Sequence, residues 1–132
     1  MRMLLDTNAY SAMRRGDPVL QRLVRQADEL IVSTIVVGEL LFGFEHGSRR
    51  VANRAELDRF LNHPQVRIVP VTRTTADRYA RIATGLRRKG TPIPTNDIWI
   101  AAHALEIGAE LVSYDGHFGA VDGLVWLQPG DA

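Results

Sequence analysis

Arg2-Met3-Leu4-Leu5-Asp6-Thr7-Asn8 opens the chain with a short apolar run that stops at an acid, and Leu111-Val112-Ser113-Tyr114-Asp115 repeats that pattern near the other end. Residues 2–5 read as a buried strand, and Leu30-Ile31-Val32, Val66 to Val69 and Leu111-Val112-Ser113 as three further strands. Leu124 to Leu127 reads as a fifth strand at the sheet edge, because Pro129 follows closely. Helical signals fill the intervals. The stretch after Asp6 is helical to about Arg15, and Asp17-Pro18 starts a second helix to about Asp28, with Asp as N-cap and Pro at the first position. Ser33 caps a helix over residues 34–46, Gly47-Ser48 breaks it, and a polar-faced helix runs on to about Leu61. Thr74 is expected to cap a long helix whose apolar side carries Ala76, Tyr79, Ala80, Ile82, Ala83 and Leu86 and which stops at Gly90. Pro92 and Pro94 delay the next helix to about Thr95, and Gly108 ends it after Ile107. Strands alternating with helices or helix pairs predict an α/β fold: an α/β/α sandwich with a mostly parallel central sheet of four to five strands. In such sheets ligands bind beyond the carboxyl ends of the strands, where Asp6 and Asp115 fall.

The chain has 132 residues, enough for one domain over 1–132 with a real core. It contains no cysteine, which excludes disulfides and thiolate metal sites. No apolar run approaches the roughly 20 residues of a membrane helix, and an acid arrives at Asp6, too early for a signal peptide. A cytoplasmic protein with no membrane partner is expected. The net charge of +1 gives no global attraction to nucleic acid. Lys89 is the only lysine among 16 basic residues; GC-rich coding accounts for the arginine excess better than selection for RNA binding.

Four acids stand out, each with an ordinary explanation beside a chemical one. Asp6, in Asp6-Thr7-Asn8, reads by itself as a strand-to-helix cap. Glu39 lies on a helix apolar nearly all round, with Ile35, Val36, Val37, Leu40, Leu41, Phe42 and Phe44, which predicts a buried helix. A carboxylate there requires either one of the fifteen arginines or a metal ion. Asp97 sits in the first turn of Asn96-Asp97-Ile98-Trp99-Ile100-Ala101-Ala102, where the helix dipole favours an acid. It also shares a stripe with Ala101, Ala104 and Gly108, small residues that let this helix approach the sheet closely. Asp115 reads as part of an Asp-Gly turn. His117, beside it, reads as a solvated loop histidine, and His46, His63 and His103 have no supporting context.

All four acids can reach one end of one sheet, and this decides between the readings. Clustered carboxylates repel, and a hard divalent cation relieves the repulsion. An all-oxygen donor set favours Mg²⁺ or Mn²⁺, as one or two ions, over Zn²⁺. Such a site can activate water and stabilise the oxygens of an in-line phosphoryl displacement, the chemistry of phosphodiester hydrolysis.

At these residues the sequence resembles the PIN-domain family, in particular the VapC-type toxin ribonucleases of toxin–antitoxin pairs. Four blocks carry the resemblance, in the family's order: Leu4-Leu5-Asp6-Thr7-Asn8, Val37-Gly38-Glu39-Leu40, Pro92-Ile93-Pro94-Thr95-Asn96-Asp97-Ile98-Trp99-Ile100-Ala101-Ala102, and Leu111-Val112-Ser113-Tyr114-Asp115 with Phe118. It spans the chain from Leu4 to about Pro129. The resemblance implies that Asp6, Glu39, Asp97 and Asp115 are catalytic acids that hold the metal. It implies that Thr7, Asn8, Asn96 and Ser113 are the polar residues supporting them, with Ser113 standing where threonine is usual. It further implies an RNA substrate, a homodimer, and a small VapB-like antitoxin that blocks the site and through which alone promoter DNA is met. A housekeeping RNA-processing nuclease and a non-catalytic interaction module are the alternatives within the family.

Two other classes fit less well. A phosphatase working through an aspartyl-phosphate would carry a second acid where Asn8 stands. A receiver-like phosphoacceptor domain would need an adjacent acidic pair and a lysine after a late strand, whereas Lys89 follows a helix.

Overall fold

The computed structural model describes residues 1–130. At its centre is β1 (Arg2–Leu5), with β2 (Glu29–Ser33) on one side and β4 (Glu110–Val112) on the other. β3 (Val66–Val69) and β5 (Trp126–Leu127) form the edges, so the sheet order is β3-β2-β1-β4-β5 and every pairing is parallel. Met3, Leu4 and Leu5 are buried, as are Leu30, Ile31 and Val32. Their unbroken apolar runs are what a sheet covered on both faces requires.

The chain reaches β2 through α1 (Thr7–Arg14) and α2 (Pro18–Gln26), and β3 through α3 (Thr34–Glu45) and α4 (Arg50–Leu61). It then reverses direction across the sheet to reach β4 through α5 (Arg73–Lys89) and α6 (Thr95–Ile107). Right-handed crossovers running in opposite directions put the first four helices on one face and the last pair on the other. The α/β/α sandwich expected from the sequence is therefore present, with five strands and a wholly parallel sheet.

Local chemistry sets most boundaries where the sequence places them. Asp17 accepts from the Val19 and Leu20 amides with Pro18 at the first position of α2, and Ser33 accepts from Ile35 N at the start of α3. Gly90 and Gly108 end α5 and α6 in the left-handed region, at φ 70° and 74°. One cap differs. Thr72, not Thr74, starts α5, because Thr72 and Thr75 form a reciprocal box: the Thr75 amide donates to Thr72 Oγ1 and the Thr72 amide to Thr75 Oγ1. α3 also departs from expectation. Only Val36 and Leu40 are buried on it; Ile35, Val37, Leu41 and Phe44 are half-buried against the core, and Phe42 is 68% exposed, so the helix is less deeply covered than its composition predicts.

His103, without context in the sequence, ties α6 in place. It is fully buried. Its Nε2 donates to the Pro70 carbonyl at 3.0 Å, an oxygen that can only accept, and Nδ1 shares a hydrogen bond with Ser33 Oγ at 2.9 Å. One ring thus joins α6 to the ends of β2 and β3, close to where α3 begins. Replacement by leucine leaves both oxygens buried without this partner. His103→Leu is expected to lower the unfolding free energy by about 1–3 kcal/mol in urea titration. An unchanged midpoint would show that the bonds carry no net stability.

Candidate active site

The reversal of the chain at β1 opens a crevice between the carboxyl ends of β1 and β4, the switch point at which such sheets bind ligands. Register brings the two ends level, with Leu5 beside Val112. The next residues, Asp6 and Ser113, then meet: Ser113 Oγ donates to Asp6 Oδ2 at 2.5 Å. The other oxygen, Asp6 Oδ1, accepts from the Ala9 amide at 2.8 Å and caps α1. Asp6 is therefore both the helix cap its local sequence suggests and a member of the crevice. Asp6 as a residue is only 4% exposed. Burial pushes its pKa up to about 6, against the two hydrogen bonds, and the nearby Asp97 and Asp115 add to the rise.

Glu39 enters from the first half of α3. Thr7 Oγ1 donates to its Oε1 at 2.5 Å and Asn96 Nδ2 to its Oε2 at 3.3 Å. No arginine pairs with it among the described residues, so the first of the two partners left open by the sequence is not the one used. Asp97 enters from the first turn of α6, whose N-cap is Pro94 and which has no side-chain cap. Instead of binding its own helix end, Asp97 Oδ2 lies 3.1 Å from His117 Nδ1. Burial raises the Asp97 carboxyl above its usual range, the His117 bond opposes this, and Asp115 adds to it. Asp115 follows β4, and its amide donates to Ser113 Oγ at 2.9 Å. Its own Oδ1 caps the short 3-10 helix Gly116–Ala120 through the His117 amide. Trp126 Nε1 donates to the Ser113 carbonyl at 3.0 Å, fixing the end of β4 from the neighbouring strand.

Asp6, Thr7, Asn8, Glu39, Asn96, Asp97 and Asp115 all line one cleft of about 480 Å³. The four acids named from the sequence thus converge, and so do three of the four polar residues, while Ser113 lies fully buried behind them. Thr7 and Asn96 hold Glu39, Ser113 holds Asp6 and the Asp115 backbone, and Asn8 faces the cleft. His117 corrects the sequence reading. It is not merely solvated: Nδ1 lies 3.0 Å from Asp115 Oδ1 as well as 3.1 Å from Asp97 Oδ2, and the bond to Asp97 raises the imidazole pKa. Its adjacency to Asp115 was the only sequence signal, since Asp97 comes from a separate helix.

The donor set suits a hard cation. It offers carboxylates from four elements, and among the described residues no lysine or arginine pairs with any of them. Donor atoms of Asp97, Asp115 and His117 lie within 4.8 Å of one another.

Comparison with known proteins places this geometry in context. A family model described as PIN domain matches residues 3–124. Ribonuclease VapC2 of Haemophilus influenzae is 35% identical over 115 residues, covering 86% of this chain and 86% of that protein. Ribonuclease VapC2 of Rickettsia felis is 30% identical, covering 83% of this chain and 84% of its own. Among solved structures, VapBC2 from Rickettsia felis bound to a DNA fragment from their promoter superposes with a TM-score of 0.85 at 25% identity, over 97% of this chain and 98% of that one.

The raised pKa of Asp6 carries a stability consequence. The folded state holds the proton more tightly than the unfolded chain, so this group costs stability as pH rises from about 4 through about 6, and the cost is complete above that window. Asparagine cannot ionise. Metal-free Asp6→Asn should therefore be more stable than the parent at pH 7.5, by up to about 3 kcal/mol, with the gain vanishing toward pH 4. Thermal melts in chelator at the two pH values test this; a gain independent of pH, or a loss at pH 7.5, would contradict it.

Proposed function

The chain belongs to the PIN-domain family, and from that premise we propose that it is a divalent-metal-dependent endoribonuclease acting as the toxin of a toxin–antitoxin pair. The observation that carries the proposal is the convergence of Asp6, Glu39, Asp97 and Asp115 on one cleft without an arginine or lysine to balance them. The names of the relatives, ribonucleases all, support RNA as the substrate.

The four carboxylates would hold Mg²⁺ or Mn²⁺. A divalent cation bound there supplies positive charge to a phosphodiester and makes water a usable nucleophile near pH 7. The protein's own part is placement. Thr7 and Asn96 fix the Glu39 carboxylate from two sides, and Ser113 fixes Asp6. Ser113 also accepts from the Asp115 amide, so one hydroxyl locks two acids from adjacent strands. In-line hydrolysis at such a site requires no 2′-hydroxyl and leaves a 5′-phosphate and a 3′-hydroxyl.

The exposed Phe42 of α3 supports an antitoxin. Phe42 lies one helical turn from Glu39, with half-buried Leu41 on the same helix, and Val51 is 75% exposed at the start of α4. This is apolar surface that a partner helix could cover. A small VapB-like antitoxin seated there could send an arginine or lysine into the cleft to pair with the acids. Promoter DNA would be reached through that partner, since this chain has a net charge of only +1. Family membership also supports a homodimer, to be checked by sedimentation. A housekeeping role would leave the Phe42 side without an occupant.

Purified protein with Mg²⁺ or Mn²⁺ is expected to cut RNA and to stop in EDTA, with 5′-phosphate ends. Asp97→Asn should reduce the rate about 100-fold or more, equivalent to some 3 kcal/mol of transition-state stabilisation, without loss of fold. Cyclic 2′,3′-phosphate ends, activity in EDTA, or an active and folded Asp97→Asn protein would each sink the mechanism. For the antitoxin, Phe42→Asp should weaken binding by about 30-fold or more, as loss of a buried aromatic anchor does, while the free enzyme keeps its nuclease activity. Unaltered affinity in a binding titration would remove this face from the interface.

A further inference from the structure

We propose that His117 is a ligand of the same cation, making the centre a mixed oxygen–nitrogen site that selects Mn²⁺ over Mg²⁺; the inference rests on the reading of the acids as a cation site. His117 Nδ1 stands 3.1 Å from Asp97 Oδ2 and 3.0 Å from Asp115 Oδ1. Neighbouring ligands in an octahedral site with bonds of about 2.1 Å lie about 3 Å apart, so both separations, which also suit hydrogen bonds, fit one shared ion without rearrangement. Hydrogen bonding accounts for the arrangement less completely. Nδ1 carries at most one proton and faces two carboxylate oxygens, whereas a cation engages all three atoms together.

The backbone that carries the ring is also held where it stands. Its own amide is bound by Asp115 Oδ1 at 2.9 Å, and Phe118 beside it is buried in the core. Gly119 then packs under the Trp126 ring so closely that an added Cβ would lie 3.1 Å from it. The 3-10 helix is thus anchored on both sides of the imidazole. Imidazole is a good ligand for transition metals, while Mg²⁺ keeps to oxygen donors and gives up its waters reluctantly. A nitrogen ligand therefore favours Mn²⁺ in a site that four carboxylates alone would leave nearly indifferent.

The test uses the full chain, stripped of metal and titrated with MnCl₂ or MgCl₂. Pulsed electron paramagnetic resonance of the Mn²⁺-loaded protein should show nitrogen-14 modulation from a coordinated imidazole, and His117→Ala should abolish it. The same substitution should weaken Mn²⁺ binding by tenfold or more and Mg²⁺ binding by less than about threefold, a change that also reads out without any nuclease assay. Should His117→Ala fold poorly, His117→Gln removes the imidazole while keeping a polar side chain and must likewise abolish the modulation. Mn²⁺ bound in an Asp97-dependent way but without nitrogen modulation overturns the inference and leaves the acid site standing, as does modulation that survives in His117→Ala. Failure of the parent chain to bind Mn²⁺ at millimolar concentration overturns the inference and the acid reading together.

Discussion

Negative charge that no arginine or lysine balances is the constraint around which this molecule is organised. Cations are plentiful elsewhere and are spent on the surface. Arg14 pairs with Glu56, Arg50 and Arg54 with Glu45, Arg2 and Arg67 with Glu29, Arg73 and Arg81 with Asp77, and Lys89 with Asp122. The cleft acids receive instead hydroxyls, an amide side chain, backbone N–H groups and one imidazole. The neutral donors orient a carboxylate without cancelling its charge, and only the His117 imidazole, when protonated, offsets part of it, so attraction for a cation survives folding. Burial first, and the neighbouring acids after it, raise the Asp6 and Asp97 carboxyls above their ordinary range.

The topology makes such a cluster possible at small size. A parallel sheet with β1 in the middle sends the chain to both sides of one strand end. Asp6 and Ser113 then become neighbours though 107 residues apart. α3 and α6 deliver Glu39 and Asp97 to the same place, with Asn96 linking the two helices. His103 bolts α6 to Ser33, the residue that starts α3. The placement of the acids is thus distributed over the core rather than entrusted to one loop.

Much of this was legible in the chain because the signals are local. Asp17-Pro18, Gly90 and Gly108 mark boundaries through rules that involve only adjacent residues, and the apolar runs 2–5 and 30–32 are too short to be anything but strands here. The four acids were legible through the resemblance; from the residues alone, Glu39 kept an arginine as an open partner. What stayed hidden depends on pairs distant in sequence. His117 gains its meaning from Asp97, on another element, and His103 from Ser33 and Pro70. Composition overstated the burial of α3, since hydrophobicity says that a face wants cover and not whether the same chain supplies it. With threonines at 72, 74 and 75, the true cap of α5 depends on which pair can bond reciprocally, a matter of geometry. Caps and site members also turned out not to be alternatives: Asp6 and Asp115 each give one oxygen to a backbone amide and both still line the cleft.

The bond from Trp126 to the Ser113 carbonyl has a spectroscopic consequence. The indole is one residue's width from the hydroxyl that holds Asp6, and its ring rests on Gly119 in the segment that carries His117. The other tryptophan, Trp99, stacks on Tyr79 at 4.1 Å between ring centres. Emission from Trp126 is therefore coupled through Ser113 to the hydroxyl that holds Asp6, and a Trp99→Phe background would isolate that signal at the end of β4.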